Sequence, residues 1–301
     1  MEMLAPAPKS APFTVAGKRV VAVLNRSSGS WTPTCEAEVG DLLHGSGLTG
    51  AKVVGAAPAD IEVALDAAIA EAEILVVLGG DGTIRSAAEK LLGKAVVLIP
   101  LPGGTMNMLP KALYGARDWK AALTDTLADP HIHDVSGGMV GEHAFFVAAL
   151  FGAPTLWADA REAARGGHLV EAAEKSITAA RRSLSEPLDY VFGEMSGSAE
   201  AVAMVCPLIS KVLDEHERCL EAAAIDTLTA GDALRLGFHA LMDDWRLDPA
   251  VSRAKIKSAR ISGHGALPVI LDGERVKMGR EAEVTFVPLA FRALAPAGST
   301  E

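Results

Sequence analysis

Two apolar runs in the N-terminal half of the chain each lead directly into a glycine-rich turn. The runs are Ile74–Leu78 and Ala95–Ile99, and the turns read GGDGT at residues 79–83 and PGGTMN at residues 102–107. Apolar positions with helical spacing follow each turn, which predicts two strand–turn–helix units. Successive units of this kind place their turns at one edge of a parallel sheet, where open α/β folds bind ligands.

The segments around these two units continue the same alternation. Further strands are predicted at Lys18–Asn25 and Ala51–Ala56, and helices at Thr34–His44, Pro58–Ala72 and Trp119–Leu127. Strands that alternate with helices of this length indicate right-handed βαβ units and a parallel sheet with both faces covered. The pattern therefore predicts an N-terminal α/β domain over residues 1–135.

The alternation ends near Asp134, where extended segments become dominant. Asp134–Val140 and His143–Phe151 flank Gly141-Glu142, which predicts a hairpin. Other strands are predicted at Leu188–Phe192, Ala201–Leu208, Cys219–Ile225, Ala254–Ser262, Val269–Leu271 and Ala282–Val287, and helices at residues 156–184 and 230–245. The predicted fold class is α/β, with a parallel-sheet N-terminal domain and an antiparallel β-rich C-terminal domain at residues 136–290.

The overall charge and the cysteine usage narrow the possible partners. A formal net charge of −10 argues against nucleic acid as a general partner and against a broad electrostatic contact with anionic lipid. No apolar run reaches the roughly 18 residues of a membrane span. Residues 1–12 lack the basic and apolar regions of a signal peptide. Cys35, Cys206 and Cys219 show no metal-ligand spacing and are interpreted as thiols in a reducing cytosol.

The GGDGT turn is suited to binding phosphate. Glycines let the backbone approach a ligand closely, successive N–H groups form an anion nest, and the following helix adds its positive end. The Thr83 hydroxyl is a donor for a phosphate oxygen, and Asp81 suits a contact with Mg²⁺ or with its water shell. The residues alone equally allow a tight β–α turn in which Asp81 caps the helix.

The PGGTMN turn repeats this chemistry one strand later. Gly103, Gly104 and Thr105 supply small residues and a hydroxyl, while Asn107 is a candidate to bind a ribose, a base or a phosphate, or to cap a helix. Neither turn fits the P-loop pattern G-x-x-x-x-G-K-[ST], and no G-x-G-x-x-G motif opens the chain. P-loop and Rossmann interpretations are therefore weak.

The pair LGGDGT and PGGTMN resembles the diacylglycerol kinase catalytic-domain family. That family includes bacterial diacylglycerol, ceramide and sphingosine kinases and is related in fold to NAD kinases and phosphofructokinases. Two further segments carry the resemblance: Asn25-Arg26-Ser27-Ser28-Gly29 matches the family's Asn-Pro-x-Ser-Gly nucleotide loop, and Asp272-Gly273-Glu274 matches its C-terminal Asp-Gly-Glu. The family also suggests that residues 291–301 return to the first domain.

The resemblance implies an ATP- and Mg²⁺-dependent lipid kinase with its site in the cleft between the domains. Phosphoryl transfer needs positioning, charge neutralisation and a base. The resemblance assigns the base to Glu274, with Asp272 supporting Glu274 or the metal; the residues alone also allow a surface hairpin turn. The implied nucleotide contacts are Asn25, Arg26, Ser28, Gly29, Gly79, Gly80, Asp81, Gly82, Thr83, Gly104, Thr105 and Asn107, and Asp81 is also the catalytic and metal-binding candidate.

The expected partner is a lipid substrate, collected by a cytoplasmic protein that associates peripherally with the inner face of the membrane. Ceramide and diacylglycerol are the leading acceptors and a sphingoid base is a third, with Asp159 a weak candidate for a headgroup contact. Two alternatives remain open: a kinase of soluble substrates like NAD kinase, and a nucleotide-binding regulator without turnover. Departures from the family pattern at Arg85 and Met108 support the regulator as an alternative.

Overall fold

The structure is a computed structural model that describes residues 11–152, 187–213, 217–226, 246 and 249–297. The helices expected at residues 156–184 and 230–245, together with Asp159, lie outside these residues. The chain divides into two compact units. The first comprises residues 1–137 and 288–301, and the second comprises residues 138–287.

The first unit alternates strands and helices. In chain order these are β1 (Ala11–Pro12), β2 (Val20–Asn25), α1 (Cys35–Gly45), β3 (Lys52–Ala56), α2 (Ile61–Glu71), β4 (Ile74–Gly79), α3 (Asp81–Lys90), β5 (Val97–Pro102), α4 (Met108–Tyr114), α5 (Trp119–Ala128) and β6 (His131–Val140), whose last three residues belong to the second unit. Strands β3, β2, β4 and β5 are neighbours in that order, and every pairing among them is parallel. The C-terminal segment adds another parallel neighbour, since Arg292 and Ala293 pair with β5.

The register of the central strands places their ends at one edge of this sheet. Residues 20–24, 74–78 and 97–99 are almost fully buried, as expected for parallel strands that are covered on both faces. Leu24 lies opposite Leu78, and Gly79 lies opposite Pro102. The loops that follow β2, β4 and β5 therefore leave the sheet side by side.

The second unit is built from antiparallel strands in the part that the structure describes. After residues 138–140 of β6 come β7 (His143–Phe145), β8 (Ala148–Gly152), β9 (Leu188–Phe192), β10 (Met195–Ala199), β11 (Ala201–Val205), β12 (Leu220–Ile225), β13 (Val251–Ile256), β14 (Ser258–Ser262), β15 (Pro268–Leu271), β16 (Glu274–Lys277) and residues 281–287 of β17 (Glu281–Ala295). Six of these strands form a sheet in the order β13-β12-β11-β8-β15-β16. Strands β10, β9, β14 and β17 are neighbours, in that order, in the other sheet. Apolar side chains from both sets of strands, including Phe151, Met204 and Ile261, form one buried cluster.

The predicted fold class is confirmed, with specific corrections in the second unit. The single strand expected at Ala254–Ser262 is wrong: β13 pairs with β12, whereas β14 pairs with β9 and β17. The extended pattern continues from β13 to β14, so the sequence does not show where the chain leaves one set of strands for the other. Strands β10 and β16 are unexpected because they are short and mostly exposed, so they lack an apolar alternation. No helix among the described residues combines the length and apolarity needed to cross a membrane.

Candidate functional site

The GGDGT turn connects β4 to α3 without spare space. Gly79 is buried, and a Cβ atom there would lie 2.6 Å from the Cβ of Thr83, so only glycine fits. The carbonyl of Gly80 accepts a hydrogen bond from the N–H of Ile84 at 3.0 Å, which starts the helix. The preceding N–H groups, at residues 81–83, have no carbonyl one turn earlier in the helix. Such N–H groups at a helix start form a site for an anion.

The PGGTMN turn is closed by Asn107. This residue has the left-handed conformation (φ 50°, ψ 49°), which asparagine tolerates better than most residues. Its side chain accepts from the N–H of Gly104 at 2.7 Å and donates to the carbonyl of Gly104 at 2.8 Å. Asn107 occupies the position before α4, but its side chain caps none of that helix's N–H groups. Both ends of its amide are therefore used within the turn, and its role toward a ligand stays a prediction.

The two turns lie in direct contact. The N–H of Gly103 donates to the carbonyl of Gly79 at 2.8 Å, and a Cβ atom on Gly104 would lie only 2.7 Å from the Cα of Gly80. The glycines are needed because backbone meets backbone at this point, and neither turn has a flexible side chain there that could move aside.

Asp81 connects the first turn to the helix after the second. One carboxylate oxygen accepts from the N–H of Asn107 at 2.9 Å, and the other accepts from the N–H of Met108 at 2.6 Å. From the sequence alone, Asp81 was also a candidate to cap its own helix, α3. The structure instead places the carboxylate at the start of α4, where a negative charge is favoured.

The loop after β2 joins the same edge. The amide of Asn25 donates to the hydroxyl of Thr83 at 2.9 Å, and the N–H of Ser30 donates to the carbonyl of Gly103 at 3.0 Å. Thr83 accepts in this contact, so its own hydroxyl proton is available to a ligand. The hydroxyl oxygen of Ser28 is buried and has no hydrogen-bond partner among the described residues. The three loops singled out in the sequence thus meet at one edge of the sheet.

Arg26 is engaged away from this set of donors. Its guanidinium pairs with Glu36, with Nη2 at 2.8 Å and Nε at 2.9 Å from Oε1. Gly55 provides the space for the pair, because a Cβ atom there would overlap both side chains. A phosphate contact by Arg26, as predicted from the sequence, would compete with this ion pair.

The donors at this edge suit the phosphates of a nucleotide. They comprise helix-start N–H groups and hydroxyls, with one carboxylate, Asp81, beside them. Among the described residues, no group of three or more His, Cys, Asp or Glu side chains is placed to hold a metal ion. Mg²⁺ commonly binds through one or two carboxylates, with phosphate and water oxygens completing its shell. Each oxygen of Asp81 keeps a lone pair beyond its N–H contact, so the edge fits a Mg²⁺ ion that arrives with a nucleotide.

The second candidate segment, Asp272-Gly273-Glu274, lies in the second unit as the turn between β15 and β16. Leu271 pairs with Glu274 across the turn. Asp272 is only 6% exposed, and its carboxylate accepts from three consecutive N–H groups, those of Phe146, Val147 and Ala148, at 2.7, 2.8 and 2.9 Å. The turn is therefore a hairpin. The sequence also allowed a turn at the protein surface, which is wrong for Asp272 because its side chain is buried.

Glu274 differs from Asp272 in its surroundings. It is exposed at the start of β16, which is the last strand of the six-stranded sheet. Its carboxylate makes no hydrogen bond or ion pair with another described residue. A solvent-facing carboxylate on a fixed turn has the chemistry of a general base.

Comparison with known families identifies the segment that carries the first site. Residues 19–140 match the model of the diacylglycerol kinase catalytic domain. These residues belong to the diacylglycerol kinase catalytic-domain family. The matched residues of this kinase domain include all three loops at the sheet edge, whereas the Asp272-Gly273-Glu274 turn lies outside them.

Solved structures extend the likeness to nearly the whole chain. A Bacillus anthracis str. Sterne protein assigned as a diacylglycerol kinase superposes with a TM-score of 0.70 at 16% identity, covering 94% of this chain and 99% of its own. A crystal structure of a diacylglycerol kinase from the same organism gives a TM-score of 0.68 at 13% identity, covering 94% of this chain and 98% of its own. At such identities the likeness shows the fold of both units.

Sequence reasoning missed the groups that hold the kinase-domain turns and the Asp272 turn in place. They are main-chain atoms: the carbonyls of Gly79 and Gly103 in the first unit, and the N–H groups of residues 146–148 in the second. Every residue carries a main-chain carbonyl and every residue except proline an N–H, so no residue type marks these positions. The glycine pairs were the available signal, because close contact between backbones requires them.

Proposed function

We propose that this protein is an ATP-dependent lipid kinase, which transfers the γ-phosphate of ATP to a hydroxyl of a membrane lipid. Ceramide and diacylglycerol are the leading acceptors, and a sphingoid base is the third. The observation that carries the proposal is the convergence of three loops at one sheet edge, in a domain of the diacylglycerol kinase catalytic family. Helix-start N–H groups at residues 81–83 and the hydroxyls of Ser28 and Thr83 are the donors proposed to bind the phosphates.

Glu274 is the proposed base. Its carboxylate takes the proton of the acceptor hydroxyl as that oxygen attacks the γ-phosphorus, and ADP leaves with the electrons of the broken P–O bond. The exposure of Glu274 and its match to the family's Asp-Gly-Glu support this assignment.

A divalent cation, proposed to be Mg²⁺, would neutralise charge on the phosphates when it is bound with ATP. Asp81 is the residue proposed to hold it, directly or through its water shell. Thr83 and Ser28 orient the phosphates through their hydroxyls, whatever the order in which cation and nucleotide arrive.

The proposed place of action is the cytoplasmic face of the membrane, where the protein would associate peripherally to reach its lipid acceptor. Asp159, a headgroup candidate from the sequence, stays a prediction because it lies outside the described residues.

A phosphate-transfer screen tests the function directly. Purified protein is incubated with radiolabelled ATP and Mg²⁺, with either extracted membrane lipids or NAD as acceptor, and the products are analysed by mass spectrometry. Label in a lipid phosphate supports the proposal and names the acceptor. Label in NADP instead supports the soluble-substrate alternative, and ATP binding without transfer to any acceptor supports the regulator.

The substitution Glu274→Gln tests the base. We expect lipid phosphorylation to fall by about 10²–10⁴-fold, the usual worth of a general base, because an amide does not accept the proton. ATP affinity, measured by titration calorimetry, should stay within about twofold, a difference below the 1.4 kcal/mol of a tenfold change. Glu194→Gln is a matched control, since Glu194 is an exposed carboxylate between two strands of the same unit and pairs with none of the described residues. Near-normal turnover by Glu274→Gln would exclude Glu274 as the base.

A further inference from the structure

The turn that carries Glu274 is held more firmly than a hairpin requires. Asp272 and Gly273 both have positive φ angles, +50° and +90°, and Leu271 pairs with Glu274 directly across them. This is the geometry of a two-residue hairpin turn, for which Asn-Gly and Asp-Gly are both favoured. The turn itself therefore needs no carboxylate at position 272.

The carboxylate of Asp272 instead occupies an anion nest made by another segment. The nest consists of the consecutive N–H groups of Phe146, Val147 and Ala148, at the junction between β7 and β8. The main chain reinforces the contact, because the N–H of Asp272 donates to the carbonyl of Ala148 at 2.9 Å. The turn is thus fixed at both its side chain and its backbone.

The junction that receives Asp272 is itself anchored in the core. The carbonyl of Val147 accepts from the N–H of Cys206 at 2.9 Å, and the side chains of Phe146 and Val147 are buried. Burial and the adjacent Asp272 charge both raise the pKa of the Cys206 thiol. Asp272 therefore connects an exposed turn to a rigid part of the second unit.

We propose that Asp272 is a positioning residue that fixes Glu274 for proton abstraction by occupying the nest at residues 146–148. The proposal rests on the function assigned above to Glu274. Glu274 is two residues from Asp272 on a turn that would otherwise be free to move, at the end of a sheet. A base must be held within a few tenths of an ångström of its productive position, and a charged acceptor sharing three N–H donors supplies that restraint.

Asp272→Asn separates this role from turn formation. Asn-Gly keeps the preference for the two-residue turn, so the hairpin should still form. The amide offers one acceptor oxygen in place of two, and its NH₂ group faces N–H donors. Asp189→Asn is the matched control, because Asp189 is an exposed carboxylate on β9 of the same unit.

The kinetic test is a double-mutant cycle of Asp272→Asn and Glu274→Gln, with kcat and KM for ATP measured on the lipid that the screen identifies. We expect Asp272→Asn alone to lower kcat by about 10- to 100-fold, with KM for ATP within about twofold, since positioning acts on the transition state. In the Glu274→Gln background it should change the residual rate by less than about twofold. An equal loss in both backgrounds, or a change confined to KM, would overturn the proposal.

Hydrogen exchange supplies a readout that does not depend on turnover. In Asp272→Asn, amide exchange should accelerate at residues 146–148 and 268–277 and remain unchanged at residues 79–107; unchanged exchange in the hairpin would overturn the positioning role. If Glu274→Gln alone is fully active, the assigned base fails whatever Asp272→Asn shows. If Glu274→Gln is strongly impaired and the cycle is additive, the positioning role alone fails.

Discussion

The two units each contain an aspartate–glycine turn, and the carboxylate of the aspartate binds different N–H groups in each. Asp81-Gly82 opens a helix, and the carboxylate turns aside to cap α4 through the N–H groups of Asn107 and Met108. Among the described residues, no carboxylate caps the N–H groups at the start of its own helix. Asp272-Gly273 closes a hairpin, and its carboxylate fills an anion nest completely.

Under the proposed function, this difference matches two requirements of phosphoryl transfer, the binding of phosphate and the positioning of a base. The first unit leaves an anion site open, which suits a ligand that carries its own phosphates. The second unit fills its anion site with its own side chain, which makes the turn rigid and presents the next carboxylate, Glu274, to solvent. The same dipeptide therefore connects two turns in one unit and anchors a hairpin in the other.

The largest loss of stability is expected from Asp272→Asn. Three N–H groups, two of them buried, lose a charged acceptor that a neutral amide replaces only in part, which should lower the free energy of unfolding by about 2–4 kcal/mol. Differential scanning calorimetry measures the loss, and Asp189→Asn serves again as the control. A change no larger than that of Asp189→Asn would mean that the filled nest adds little to stability.

Gly104→Ala tests the open anion site of the first unit. The added Cβ would lie 2.7 Å from the Cα of Gly80, so the two turns must separate. We expect a destabilisation of about 1–3 kcal/mol, with ATP binding weakened by more than about tenfold because the loops no longer converge. The affinity for ATP is measured by calorimetric titration of both the wild type and the variant.

The control for this variant is Gly50→Ala. Gly50 is exposed, and a Cβ atom there would meet no other atom within 4 Å. Normal ATP affinity in Gly104→Ala would show that contact between the turns is not what shapes the nucleotide site.

The sequence predicted the parts of both turns that depend on neighbouring residues. Apolar runs that precede glycine-rich turns located β4 to within one residue and β5 to within three. The acceptor roles of the two aspartates were not predictable, because Asp81 meets Met108 from 27 positions away and Asp272 meets Phe146 from 126 positions away. Arg26 shows the same limit: its pairing with Glu36 depends on the space at Gly55, which lies on another strand. The pattern of residue types predicts local structure, whereas contacts made by main-chain atoms require no particular residue type and cannot be predicted from it.

A smaller effect is expected from Asp81→Asn, and it separates the two roles of that carboxylate. An amide keeps one acceptor oxygen for the helix start but loses the second and the charge, which should cost about 1–2 kcal/mol of stability. If Asp81 also holds Mg²⁺, the dependence of the transfer rate on Mg²⁺ concentration should weaken as well. The rate is measured over a range of Mg²⁺ concentrations at saturating ATP. An unchanged metal response together with the stability loss would leave Asp81 as a structural connection between the turns only.

The smallest effect on stability is expected from substitutions at Gly273. They test the hairpin turn and leave the carboxylate of Asp272 in place. Gly273 has a φ of +90° and open space around its Cα, so an added methyl group meets no atom and the cost is one of conformation alone. Gly273→Ala should lose about 1 kcal/mol, and Gly273→Asn should lose less, because asparagine tolerates positive φ. Thermal unfolding ranks the two variants. If the filled nest holds Glu274 as proposed, Gly273→Asn should also retain a higher kcat than Asp272→Asn, since its carboxylate anchor remains. The reverse order would place the control of Glu274 in the turn conformation and remove it from the nest.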